Sequence, residues 1–123
     1  MQSPLEVIDE YYSAFSTLEL RAIVSYFCEP CMTVGPKGVF AASNRVELAK
    51  GLEAFVDDLR AKGYGHSEYA HPEVTMINAD TALARGTAIR YAANGPEMER
   101  AEIGYLLHRA SGNWRIAVMI TSA

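Results

Sequence analysis

A chain of 123 residues, half of them apolar and about a fifth charged, holds enough material for one globular core and too much apolar content to stay disordered. Its formal net charge is −4 and its lysines and arginines form no dense cluster, which is not the composition of a nucleic-acid binder. No apolar run approaches the ~20 residues of a membrane span, and Met1-Gln2-Ser3-Pro4 has no basic n-region. The expectation is one cytoplasmic domain over residues 1–123, with neither nucleic acid nor membrane as a partner.

The first helix starts at Ser3-Pro4-Leu5-Glu6, where an N-cap serine, a proline at the first helical position and a glutamate three residues on form a capping box. Leu5, Ile8, Tyr12 and Phe15 follow at helical spacing as its buried stripe. Ser16-Thr17 interrupts it, and Thr17 is placed to cap a second helix with Leu20, Ile23, Val24 and Phe27 on its stripe. Pro30 ends that helix, because the residue before a proline avoids the helical region. A small hairpin is predicted around Gly35-Pro36-Lys37-Gly38, from Cys31–Val34 to Val39–Ala41. Ser43 or Asn44 caps a third, longest helix with Leu48, Leu52, Phe55, Val56 and Leu59 on one side, and Gly63 stops it.

The hydrophobic period then changes from that of a helix to that of a strand. Residues 66–78, 81–92, 98–109 and 114–121 alternate, with Ala79-Asp80, Asn94-Gly95 and Ser111-Gly112-Asn113 as the turns of a meander. Helices first and a meander last give an α+β fold: three N-terminal helices packed on a strongly curved, mainly antiparallel sheet. Counting register from a loop at 110–113 sets Arg109 opposite Trp114, Leu107 opposite Ile116 and Tyr105 opposite Val118. The Asn94-Gly95 turn brings Ala84 near Tyr105. One face then carries Ala82, Ala84, Gly86, Ala88, Ile103, Tyr105, Leu107, Ile116, Val118 and Ile120 toward the helices. The expected core is Leu48, Leu52, Phe55, Ile103, Leu107, Ile116 and Val118. The opposite face carries Leu83, Arg85, Ile89, Leu106, Ala117 and Met119 among charged residues, an apolar patch that predicts a homodimer formed through the outer sheet face. Arg85 and Glu102 fall diagonally across two strands there, as a cross-strand ion pair would.

The order of elements resembles the NTF2-like superfamily, which includes ketosteroid isomerases, SnoaL-type cyclases and many proteins of unknown role. The resemblance rests on Ile8-Asp9-Glu10-Tyr11-Tyr12-Ser13-Ala14-Phe15, on Tyr26-Phe27-Cys28-Glu29-Pro30, on Asp80-Thr81-Ala82-Leu83-Ala84 and on Gly112-Asn113-Trp114-Arg115-Ile116. It covers nearly the whole chain and implies a cone in which the bent sheet wraps the helices, with a site at the cone mouth. Ketosteroid isomerases use an aspartate base with a tyrosine and a protonated aspartate as oxyanion donors, as the general account of that enzyme has it. Carried over by position, the tyrosine matches Tyr11, the base falls at Val34 or Gly35, and the second acid falls near Tyr105 or Leu106. The donors have counterparts and the base does not, because neither Val34 nor Gly35 takes a proton.

Tyr11, Tyr12 and Tyr105 are therefore candidates to line a ligand pocket, against the alternative of core aromatics with hydroxyls at the cavity edge. His71 and Glu73, two apart on one predicted strand, are further pocket candidates as an imidazole–carboxylate pair, against a solvated strand end beside Pro72. Cys28-Glu29-Pro30-Cys31 follows a helix C-terminus, which opposes thiolate formation, so the pair reads as structural thiols. The distant His66 and His71 do not complete a zinc site at finger spacing, so no metal and no cofactor are expected. Three functions fit: a domain binding a small apolar molecule in its cone, an acid–base enzyme (isomerase, cyclase or dehydratase) on a polyketide-, steroid- or terpene-like substrate, or a protein-interaction module.

Overall fold

A computed structural model describes residues 2–123. In chain order the elements are α1 (Pro4–Phe15), α2 (Leu20–Val24), β1 (Phe27–Gly35), β2 (Gly38–Ala42), α3 (Arg45–Ala61), β3 (Tyr64–Asn78), β4 (Thr81–Ala92), β5 (Glu97–Ala110) and β6 (Asn113–Thr121). The six strands make one curved, unclosed sheet in the order β2-β1-β6-β5-β4-β3, antiparallel except for the β1–β6 pair. The fold is α+β with three helices, as the sequence pattern predicts.

The capping box forms at α1: Glu6 N–H donates to Ser3 Oγ at 3.2 Å, and Ser3 N–H donates to Glu6 Oε1 at 3.0 Å. This helix buries more than a stripe. Val7, Ile8, Tyr11, Tyr12 and Phe15 are all buried, because a helix enclosed by a bent sheet meets protein over a wide arc. At α3, Asn44 is the cap and Gly63 follows the end at φ +78°, a conformation open to glycine.

Three local expectations are corrected. The second helix ends at Val24, not before Pro30, and its N-cap is Glu19; Thr17 Oγ1 accepts the Glu19 N–H instead. Phe27 opens β1 opposite Ile116, and Pro30, in a cis peptide bond, lies in the register shift between Phe27 and Met32, where a missing N–H is tolerated. The Cys-x-x-Cys pair is accordingly in a strand.

The second correction concerns β6. Arg109 faces Trp114 and Leu107 faces Ile116, but Leu106 then faces Val118, leaving Ala117 as an extra residue. Side chains alternate along a strand, so this bulge inverts everything beyond it. Tyr105 pairs with Met119 and not with Val118. Met119 and Thr121 turn toward the helices, while Val118, expected in the core, and Ile120, expected on the helix-facing side, turn outward; Ile120 is 44% exposed. Met119 is thus removed from the outer patch, and Ile89 is already buried within the chain. Leu83, Leu106 and Ala117 are half-buried on that face and Arg85 is exposed. No ion pair joins Arg85 to Glu102 among the described residues; Thr87 Oγ1 donates to Glu102 at 2.7 Å.

The third correction is at α3. Leu48, Val56 and Leu59 are buried, whereas Leu52 is half-buried and Phe55 is 37% exposed. Both line a cavity, which is why a helical stripe of uniform apolarity is not uniformly core.

Candidate functional site under the tyrosine cluster

Small residues on β4 explain how four tyrosines fit inside one curved sheet. Ala82, Ala84, Gly86 and Ala88 are buried side by side. A Cβ on Gly86 would lie 2.7 Å from the Tyr69 ring, so that ring rests directly on backbone. Tyr12 and Tyr69 then approach to 5.1 Å between centroids, Tyr69 and Tyr105 to 5.4 Å, and Tyr11 and Tyr105 to 6.0 Å, mostly edge to face.

Beside this cluster lies a cavity of about 550 Å³, within the range of small-molecule sites. Tyr11 and Tyr12 of α1 and Tyr105 of β5 form one wall, and Leu52 and Phe55 of α3 face it. The β1–β2 turn, residues 33–40, rims it. Phe40 holds that hairpin to α3: a Cβ on Gly51 would lie 2.7 Å from the Phe40 ring, so the glycine leaves the ring its seat.

The polar groups are few. Tyr12 Oη and Tyr105 Oη hydrogen-bond at 2.8 Å, and Tyr69 Oη donates to Ile103 O at 3.0 Å. One hydroxyl proton of the Tyr12–Tyr105 pair stays available to a third group, since a single bond between two hydroxyls uses one of their two protons. Tyr11 lines the cavity, and its hydroxyl has no hydrogen-bond partner among the described residues. Burial pushes the phenols of Tyr11, Tyr12, Tyr69 and Tyr105 above their ordinary value near 10, so all remain neutral donors at working pH.

Arg90 and Glu99 also line the cavity and are ion-paired across β4 and β5. The Arg90 guanidinium lies 5.0 Å above the Phe55 ring, and its Nε is buried without a hydrogen-bond partner. Both residues continue the inward alternation: Arg90 follows Ala84, Gly86 and Ala88, and Glu99 precedes Ala101, Ile103 and Tyr105. Extending the sequence pattern by one step past Ala88 and two before Ile103 finds them.

The family model described as NTF2-like protein (DUF6841) matches residues 5–123. The chain belongs to the NTF2-like family. Solved structures agree at the level of fold. An NTF2-like protein with a cystatin-like fold from Novosphingobium aromaticivorans is 19% identical, with 95% of this chain and 77% of that chain covered and a TM-score of 0.77. An NTF2-like protein of unknown function from Shewanella oneidensis MR-1 is 14% identical, covering 97% and 95% at a TM-score of 0.77. A ketosteroid isomerase-like protein from Erwinia carotovora atroseptica is 22% identical, covering 96% and 91% at a TM-score of 0.68. No curated protein matches the sequence.

Within this NTF2-like cone, Tyr11, Tyr12 and Tyr105 come together on one cavity wall, and Val34 and Gly35 stand on the rim. His71 and Glu73 do not join them. Both are exposed, at a bulge where His71 and Pro72 together oppose Gly86 and His71 takes φ +53°, so spacing by two no longer means a shared face. Cys31 is buried and Cys28 half-buried; desolvation raises both thiols, which makes them poor nucleophiles.

Proposed function

We propose that this NTF2-like domain binds a small, largely apolar molecule bearing a hydrogen-bond acceptor, such as a carbonyl oxygen, in the cone cavity. The observation that carries the reading is the Tyr11 hydroxyl, which lies in the cavity lining without a hydrogen-bond partner among the described residues. A phenol donor open to an apolar cavity and unused by the protein is free to donate to a ligand acceptor placed there. Neutral phenols in a low-dielectric pocket suit a carbonyl and repel nothing. An open cavity also favours this reading over an interaction module with a plugged cone. Mass spectrometry of gently purified protein should release a stoichiometric apolar carbonyl or enol compound. Consistent recovery of empty protein, with no thermal shift from a panel of such compounds, would overturn the proposal.

One observation favours the acid–base reading as a second possibility: Glu99 is a carboxylate on the cavity wall, which the position-by-position comparison with the isomerases did not supply. It is ion-paired with Arg90 across β4 and β5. Turnover abolished by Glu99→Gln with ligand binding retained would favour the enzyme.

We infer further that two copies associate through the outer sheet face. Leu83, Leu106 and Ala117 are joined there by Val118 and Ile120, which the β6 bulge turns outward, so the patch stays apolar without Met119. The unpaired thiols Cys28 and Cys31 suit a reducing, cytoplasmic setting.

A further inference from the structure

A second concavity, of about 540 Å³, opens between α2, the first turns of α3, and β6, and shares no lining residue with the cone cavity. Arg21, Arg45 and Arg115 converge on it, three of the eleven basic residues in an acidic chain, together with Ser25, Val24 and Val46. No acidic residue lines it among the described residues.

The three guanidiniums are not equally engaged. Arg45 is fixed by the fold: its Nε and Nη2 donate to Phe27 O at 3.1 and 2.9 Å, and its Nη1 pairs with Glu29 at 3.2 Å. Among the described residues Arg115 donates only from Nη1, to Trp114 O at 2.9 Å. Arg21 has no hydrogen bond or ion pair among the described residues. Glu29 therefore balances one charge, and two stay unbalanced in a shared hollow. Beside these charges Val46 is 66% exposed.

We propose that this concavity binds a phosphate monoester, its phosphate held by Arg21, Arg45 and Arg115 and its organic part resting on Val46. Planar guanidiniums bind phosphate oxygens through charge-assisted, often paired, hydrogen bonds. A phosphomonoester carries about −1.5 to −2 at neutral pH, which matches the two unbalanced charges better than a single carboxylate does. An organic part in contact with Val46 distinguishes the ligand from free inorganic phosphate. The same headgroup chemistry occurs in soluble esters and in phosphatidic acid.

The test is an amide-resolved NMR titration of the full chain with phenyl phosphate, inorganic phosphate and phenol. Phenyl phosphate should give saturable shifts around residues 21–25, 45–49 and 115. Inorganic phosphate should bind more weakly and phenol not at all. Arg21→Gln with Arg115→Gln should weaken phenyl phosphate about tenfold or more. Arg21→Gln alone, at an exposed and unpartnered position, carries the test if the pair of changes disturbs folding. Vesicles with and without phosphatidic acid identify the source: sedimentation with the acidic vesicles, lost in the variants, assigns a lipid headgroup, and phenyl phosphate binding without it assigns a soluble ester. No saturable binding, binding unchanged in the variants, or shifts confined to the cone cavity would overturn the proposal.

Discussion

Removing one hydroxyl at a time separates a tyrosine that holds the protein together from one proposed to meet a ligand. Tyr105 is 1% exposed and its hydroxyl bonds Tyr12 at 2.8 Å. Tyr105→Phe breaks that bond and strands the Tyr12 hydroxyl, a loss of about 1–2 kcal/mol. Tyr11→Phe breaks no protein hydrogen bond among the described residues and keeps the ring contacts at 5.6 Å with Phe27 and 6.0 Å with Tyr105. Its stability should stay within about 0.5 kcal/mol of the unsubstituted chain. Urea unfolding followed by far-ultraviolet circular dichroism measures both, provided the slope with denaturant is unchanged. Ligand binding should reverse the order of importance: for a carbonyl ligand, Tyr11→Phe should weaken affinity about tenfold, the equivalent of one hydrogen bond of roughly 1.4 kcal/mol. A loss above about 1 kcal/mol for ligand-free Tyr11→Phe would show that its hydroxyl has a structural partner, and the reasoning would fail.

Three other outcomes follow from burial and register. Leu48 is fully buried and Leu52 borders the cavity, so Leu48→Ala should cost about 2–5 kcal/mol and Leu52→Ala clearly less, about 1–2 kcal/mol; equal costs would place Leu52 in the core. Tyr11, Tyr12, Tyr69 and Tyr105 have folded-state values raised by burial, so their contribution to stability is complete below about pH 10, the unfolded value, and is lost as pH climbs toward the raised values. Absorbance at the phenolate band should show these four ionising only with unfolding, and a smooth titration of every tyrosine near pH 10 in folded protein would contradict their burial. Leu106→Asp should convert the proposed dimer to monomers with helical signal retained, and unsubstituted protein sedimenting at 13.5 kDa at tens of micromolar would remove the dimer.

The helices, strands and fold class were legible because they depend on local patterns. Ser3-Pro4-Leu5-Glu6 caps a helix wherever it occurs, and the change from helical to alternating period after Gly63 marks the start of the sheet. The α3 stripe was legible as apolar, but not as half core and half cavity wall. Leu48 and Leu52 look alike in sequence, and only the gap left beneath a curved sheet distinguishes them.

Register marks the limit. The Ala110–Asn113 turn correctly sets Arg109 against Trp114, and the count holds as far as Leu107 and Ile116. One extra residue, Ala117, then exchanges the faces of Val118, Met119 and Ile120, and nothing in Ile116-Ala117-Val118-Met119 announces it, since every residue there suits either face. The bulge at His71-Pro72 similarly separates two residues whose spacing suggested a pair. Arg90 and Glu99 were within reach of the alternation, but their meeting at the cavity depends on strand curvature. Sequence alone determined which segments become helix or strand and that the tyrosines are available. The tertiary structure decided which hydroxyls bond one another and which one is left facing open space, because bulges and closure of the cone are set by contacts between residues far apart in the chain.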